Sequence, residues 1–330
     1  MENPYPLRQN AGKSFQGSIV LGKGFVVTKE QAAALIAKDP RNREVLFPYL
    51  NGDDLNNNPD QSPSRWVINF FDWPEEKART YPDCFEIVER LVKPERTRWK
   101  KGNDGNEIVG TYALRKPLPQ KWWIYGEKRP ALYRAISKVD QVMVVCRHTK
   151  MFAPTFLPTG IIYSEATNIF VLDTYSAFIQ LSSTFHEIWA WKYSSTMGAS
   201  TLRYSASKAF ETYPFLQEKL SERLGQEFYI LRQNIMKRLG IGITELYNMF
   251  HNPQIFTEDV LKMRSLQVEI DKLILASYGW EDIQLDHDFY EMSYLPGTDN
   301  IRFTISPFIA DIVLKRLLKL NFKVHIQEIN

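Results

Sequence analysis

The run VMVVCRHTK, residues 142–150, changes character at its middle. Its first five residues are apolar and three of them are β-branched, the composition of a strand buried on both faces. Its last residues supply Arg147, His148 and Lys150. Cationic and donor groups that leave a rigid, buried strand are held in a way that residues on a free loop are not.

Working outward, NIFVLD (168–173) reads as a second buried strand. RWVINFF (65–71) reads as a third, with Trp66, Ile68 and Phe70 on one side and Arg65 and Asn69 on the other. Thr28, with Gln31 three residues on, forms a capping box ahead of AAALIAKD, and Pro40 stops that helix. The Asn/Asp/Pro/Ser-rich run 52–64 reads as a loop, 85–92 as a helix ended or kinked by Pro94, and KGNDGN (101–106) as a loop. One long helix is expected over 175–193. Past Pro214 the pattern becomes long and amphipathic, over 216–239 and then 257–278 with Gly279 as the stop, and Ser306-Pro307 opens a final helix. The expected fold class is α+β. An N-terminal linker (1–14) precedes a mixed-sheet domain (15–215), and a smaller, mainly helical domain follows (216–330).

With 330 residues, 44% hydrophobic and 24% charged, the composition is that of an ordinary globular protein. The net charge of +3 hides an asymmetry: residues 1–215 carry +6 and residues 216–330 carry −3. Residues 79–150 hold sixteen Lys/Arg against eight Asp/Glu, interleaved with Trp99, Trp122, Trp123, Tyr125 and Tyr133. That mixture suits a duplex nucleic acid, because cations release counterions from phosphates and planar guanidinium forks match base edges. Cys84 and Cys146 are too few and too far apart for a disulfide framework or a cysteine zinc site. No run approaches the length of a membrane span, and the polar start MENPYPLRQN is unlike a signal peptide, so a cytoplasmic location, on the nucleoid through DNA, is expected.

No catalytic constellation matches this binding chemistry in quality. Asp60, Glu75 and Lys77 have the loose spacing of a Mg²⁺-dependent nuclease. Yet Asp60 falls in a polar loop, and Glu75 to Lys77 follow Trp73-Pro74 as a helix start would. Gly22-Lys23-Gly24 is followed by β-formers and reads as a hairpin or bulge rather than a cofactor loop. The five histidines show no metal spacing: His186 and His251 read as structural, and His287, in DHDFYE, as a solvated turn. Trp189 and Trp191 read as the core and edge of a helix. No metal site is expected.

Several segments together resemble the target-recognition and C-terminal region of the large single-chain type IIG and IIL restriction-modification enzymes, whose methyltransferase is adenine-specific. They are FPYLNGDDLN (47–56), SPSRWVINFFDWP (62–74), YPDCFEIV (81–88), VKPER (92–96), KRPALYRAI (128–136), LRYSASKAFETYPF (202–215), LYNMFHNP (246–253), ASYGW (276–280) and IRFTISP (301–307). The resemblance runs from about residue 15 to residue 320, with order and spacing in agreement. It implies a domain that recognises a short duplex sequence and presents one adenine for flipping into a methyltransferase pocket. The nuclease and methyltransferase domains of that family have no counterpart in this sequence; Asn3-Pro4-Tyr5-Pro6 lacks the order of the adenine-methylating loop. S-adenosylmethionine and Mg²⁺ are therefore expected only in missing or partner domains, and no catalysis is expected from the chain alone.

Arg65, Arg96, Arg98, Lys100, Lys101, Lys128 and Arg129 are the expected phosphate contacts, which position the duplex without reading it. Arg147, His148 and Lys150, at the strand end, are the expected base readers, followed by Arg203 and Tyr204 just ahead of the recurring FETYPF segment. The expected partners are double-stranded DNA and a methyltransferase or nuclease subunit or domain, with no membrane. Two rival expectations stand beside this one: the Mg²⁺ nuclease above, and a remnant that docks on a methyltransferase subunit without reading DNA.

Overall fold

The computed structural model describes residues 2–198, 201–295, 297 and 299–329, and its fold is α+β. At its centre is an antiparallel sheet in the order Ser14–Gln16, Thr167–Phe170, Gln141–Cys146, Thr155–Pro158. The register sets Val144 opposite Ile169 and Met143 opposite Phe170. Met143 and Val145 point into one core, while Val142, Val144 and Cys146 point into another. Burial on both faces is why this strand is apolar at every position instead of at alternate ones.

The larger core packs the sheet against the helices Tyr175–Ser182 and Thr184–Tyr193 and then against Glu222–Leu239, Ile243–Phe250, Glu258–Ser277 and Pro307–Ile329. Packing is therefore continuous across residue 215. A second sheet, Ile162–Tyr163, Leu46–Leu50, Arg65–Ile68, Val26–Thr28, carries its own core. There the helix Pro82–Leu91 contributes Cys84, Phe85 and Val88, and the segment 122–125 adds two tryptophans, an isoleucine and a tyrosine. A small third sheet joins Ser195–Met197, Thr201–Arg203 and His148–Thr149.

The capping box at Thr28 forms, with Gln31 N–H donating to Thr28 Oγ1 at 3.1 Å. Other expectations are corrected. The run 52–64 is not all loop: Asn51 accepts from the N–H groups of Asp53 and Asp54 and starts the helix Gly52–Asn57. The single helix expected over 175–193 is two, because Ser183 is extended (φ −69, ψ 149). Asp271, buried and 87 residues away, rewards that break by accepting from Thr184 N–H (2.8 Å) and Thr184 Oγ1 (2.6 Å). The helix expected from residue 216 begins at Glu222, capped by Ser221. His287 is no solvated turn; its Nε2 lies 2.8 Å from Asp271 Oδ2, with both side chains buried.

Within the expected linker, residues 5–10 are tied to the rest of the fold. The Leu7 N–H donates to Glu211 O (2.8 Å), and Asn10 Nδ2 reaches the carbonyls of Phe210, Glu211 and Tyr213. Tyr5 stacks on His325 at 4.2 Å between ring centroids, and Arg8 bonds Glu328.

Arg96 was expected on a phosphate and is instead 1% exposed. Its guanidinium donates to three carbonyls, Val20 O (2.9 Å), Leu21 O (2.7 Å) and Ile124 O (2.6 Å), and burial lowers its pKa to about 10. Arg96→Ala strands those carbonyls, and each buried acceptor left unmet costs roughly 1–3 kcal/mol. The urea midpoint should drop accordingly, while Arg98→Ala, on the exposed surface, should shift stability by no more than about 0.5 kcal/mol. Equal, small effects would return Arg96 to the surface.

Candidate nucleic-acid interface

The strand Gln141–Cys146 does not end at Cys146 but crosses from one sheet to another. Arg147 is the crossing residue. Its N–H donates to Ala166 O (2.7 Å) on the central-sheet side, and its carbonyl accepts from Tyr204 N–H (2.9 Å). The next two residues, His148 and Thr149, pair antiparallel with Arg203 and Leu202. A main chain pinned on both sides fixes where the side chains of 147, 148 and 203 emerge.

They emerge together. Partial burial and the neighbouring guanidiniums of Arg203 and Arg129 push the Arg147 pKa below its ordinary value. Partial burial, Arg147 and Arg203 likewise hold the His148 imidazole below its usual range. Arg129 is positioned by the helix Pro130–Ile136 that follows it. Preceding a proline disfavours helical backbone, and Arg129 sits in the left-handed region (φ 54) with weak bonds to Gly17 O and Gln16 Oε1, both 3.4 Å. None of Arg129, Arg147 and Arg203 forms an ion pair among the described residues; the acidic residue that Arg147 feels is Glu165. Like charges gathered without a carboxylate partner are the signature of a surface that an anion completes.

A polar cleft of about 380 Å³ opens beside the cluster, lined by Gln16, Arg147, Asn168, Arg203, Ser205 and Lys208 among others. The Ser205 hydroxyl accepts from Lys208 N–H and caps the turn that carries Lys208 outward. Lys208 and the serines were missed from sequence, although SASK directly follows Arg203-Tyr204.

Tyr204 does not belong to this surface. Its side chain is 1% exposed and its hydroxyl lies 3.2 Å from His186 Nε2, because alternation along the strand turns it inward where Arg203 turns out. Lys150 turns away to pair with Asp299 at 2.9 Å and lines a different hollow. Lys128 pairs with Asp72 at 2.8 Å. Arg65 is exposed on its strand. Arg98, Lys100 and Lys101 are exposed at a hairpin, Trp99–Lys101 with Glu107–Tyr112, stiffened by Trp99 stacked on Tyr112 at 4.8 Å.

Asp60, Glu75 and Lys77 are engaged separately: Asp60 accepts from Ser62, Glu75 pairs with Arg79 (2.6 Å), and Lys77 lies over the Trp73 ring. No three His, Cys, Asp or Glu among the described residues are grouped so as to hold a metal ion. No helix among them is long and apolar enough to cross a membrane.

The cluster makes a direct prediction. Pyrophosphate should raise the melting temperature of the protein and of Arg65→Ala. The increment should vanish in the Arg147→Ala, Arg203→Ala double variant, because a ligand stabilises only the state that binds it. An undiminished increment in the double variant would place anion binding elsewhere.

No protein-family model matches the chain, and no curated protein matches it. Among solved structures it is similar to the type IIL restriction-modification enzyme MmeI in complex with DNA, with a TM-score of 0.61 at 16% sequence identity. The similarity covers 98% of this chain and 37% of that one, so the chain spans little more than a third of the enzyme's length and shares the fold of that part.

Proposed function

We propose that the chain recognises double-stranded DNA by sequence, as the specificity module of a restriction-modification DNA adenine methyltransferase, and performs no chemistry alone. The observation that carries this reading is the convergence of Arg147, His148 and Arg203, with Arg129 beside them, on a sheet junction free of ion-pair partners among the described residues. The shared fold with a part of MmeI, solved in complex with DNA, supports it. In this reading Arg147 and Arg203 reach base edges in the major groove, where a planar fork can make paired hydrogen bonds. Arg65, Arg98, Lys100, Lys101 and Arg129 take phosphates. Lys128 and Lys150 can join them only by leaving Asp72 and Asp299.

Selection from a random duplex library tests the division of labour. Arg147→Ala and Arg203→Ala should relax or change the preferred base and cost on the order of 1–3 kcal/mol on the preferred site. Lys100→Ala should weaken all duplexes alike and reduce the slope of log affinity against log salt by about one. An unchanged preferred site in both arginine variants would remove readout from this junction.

Protonation supplies a second check. His148 is held below its ordinary pKa in the free protein, so it is neutral at pH 7.5, and an approaching duplex favours its charged form. Binding should then take up a proton and strengthen as pH falls from neutrality toward the lowered free-protein pKa of His148, levelling off below it. His148→Gln should flatten that dependence; a slope that survives the substitution assigns it to another group.

Catalysis belongs, in this reading, to a methyltransferase or nuclease domain or subunit that supplies S-adenosylmethionine and Mg²⁺. Methyl transfer to duplex DNA by the purified chain, or Mg²⁺-dependent cleavage lost in Asp60→Ala, would overturn it.

A further inference from the structure

An apolar cavity opens on the second sheet, distinct from the polar cleft beside Arg147 and Arg203, with Lys128 and Pro130 in its wall. It measures about 620 Å³, and its walls include Phe47, Phe71, Tyr133, Ile136, Ile161 and Ile162. Its construction starts at Asn69. This side chain is 7% exposed, and its Oδ1 accepts from the Phe71 N–H at 2.9 Å. An N–H can donate only to the oxygen, so the amide orientation is fixed and Nδ2 is the free end. Nδ2 has no hydrogen-bond partner among the described residues, and Asn69 lines the cavity. The same turn holds Phe71 in left-handed backbone (φ 53), costly for a bulky side chain, and leaves the ring 39% exposed beside the edge-on ring of Phe47, 5.8 Å away. An aromatic wall held toward open space by a strained backbone, together with an amide donor open to the cavity and unused by the protein, is what a ligand clamp requires.

The rim sets the charge of the occupant. Arg134 lines the cavity and forms no ion pair among the described residues, whereas the other cation there, Lys128, is neutralised by Asp72. We infer that this cavity binds a flat, largely apolar organic anion, its ring against Phe71 and Phe47, an acceptor atom on Asn69 Nδ2, and its acidic group at Arg134. Neither the arginine junction nor DNA recognition enters this assignment.

The probe is 8-anilinonaphthalene-1-sulfonate, with neutral N-phenyl-1-naphthylamine as its control, titrated by fluorescence into the full chain. One saturable sulfonate site per chain is expected. Arg134→Glu should weaken the sulfonate at least tenfold while leaving the neutral dye within about twofold. Ser137→Trp, at the exposed mouth, should exclude both dyes, with circular dichroism and thermal melting showing that each variant is folded. Three results would overturn the assignment: sulfonate binding indifferent to Arg134→Glu, dye uptake unaffected by Ser137→Trp, or many weak sites without saturation. The last two describe dye on scattered surface apolar residues. Should Ser137→Trp fail to fold, the difference between the two dyes in Arg134→Glu decides alone.

Discussion

The rest of the structure depends on a strand that has no free face. Residues 142–146 deliver side chains alternately to two cores, and nothing along that stretch can be spared for solvent or ligand. Chemistry is therefore pushed to the point where the strand leaves the central sheet. Arg147 stands there, held by one main-chain bond to Ala166, just ahead of a central-sheet strand, and one to Tyr204, just past a strand of the small sheet. Precision comes from this arrangement at little cost in side-chain entropy, because the backbone is already fixed by burial before any guanidinium is aimed.

What could be read from the sequence follows from what is local. The apolar run, the capping box at Thr28, the acidic helix start at Glu75 and the Ser306-Pro307 opening are decided by neighbours within a few residues. Arg147 and His148 were legible for the same reason, being the first polar residues after a buried run. Arg203 came from the resemblance, and its place beside Arg147 depends on a strand pairing that spans some fifty residues. The break at Ser183 was invisible because the carboxylate that rewards it sits on a helix 87 residues downstream.

The misassigned cations show the same limit. Arg96, Arg98, Lys100 and Lys101 look alike as a basic cluster, yet Arg96 alone is surrounded by carbonyls from segments 20–21 and 124. Lys150 shares a short run with Arg147 and His148 but answers to Asp299. Composition measured how much positive charge the region carries. It could not say which charges are already used, since a partner in three dimensions has no fixed offset in sequence.

The N-terminal strap has a kinetic meaning. Tyr5, Arg8 and Gln9 reach Asn321 and Glu328 across 316 to 320 residues of chain, the longest closures among the described hydrogen bonds. Closure entropy grows only slowly with length, so these contacts are sustainable once made, but they have no local step to nucleate them. They are the natural last event of folding and, being few and only partly buried, the natural first to open. Amide exchange would then divide the molecule by depth and not by order along the chain: the strap opens at low cost, while the doubly buried strand exchanges only when the whole protein unfolds.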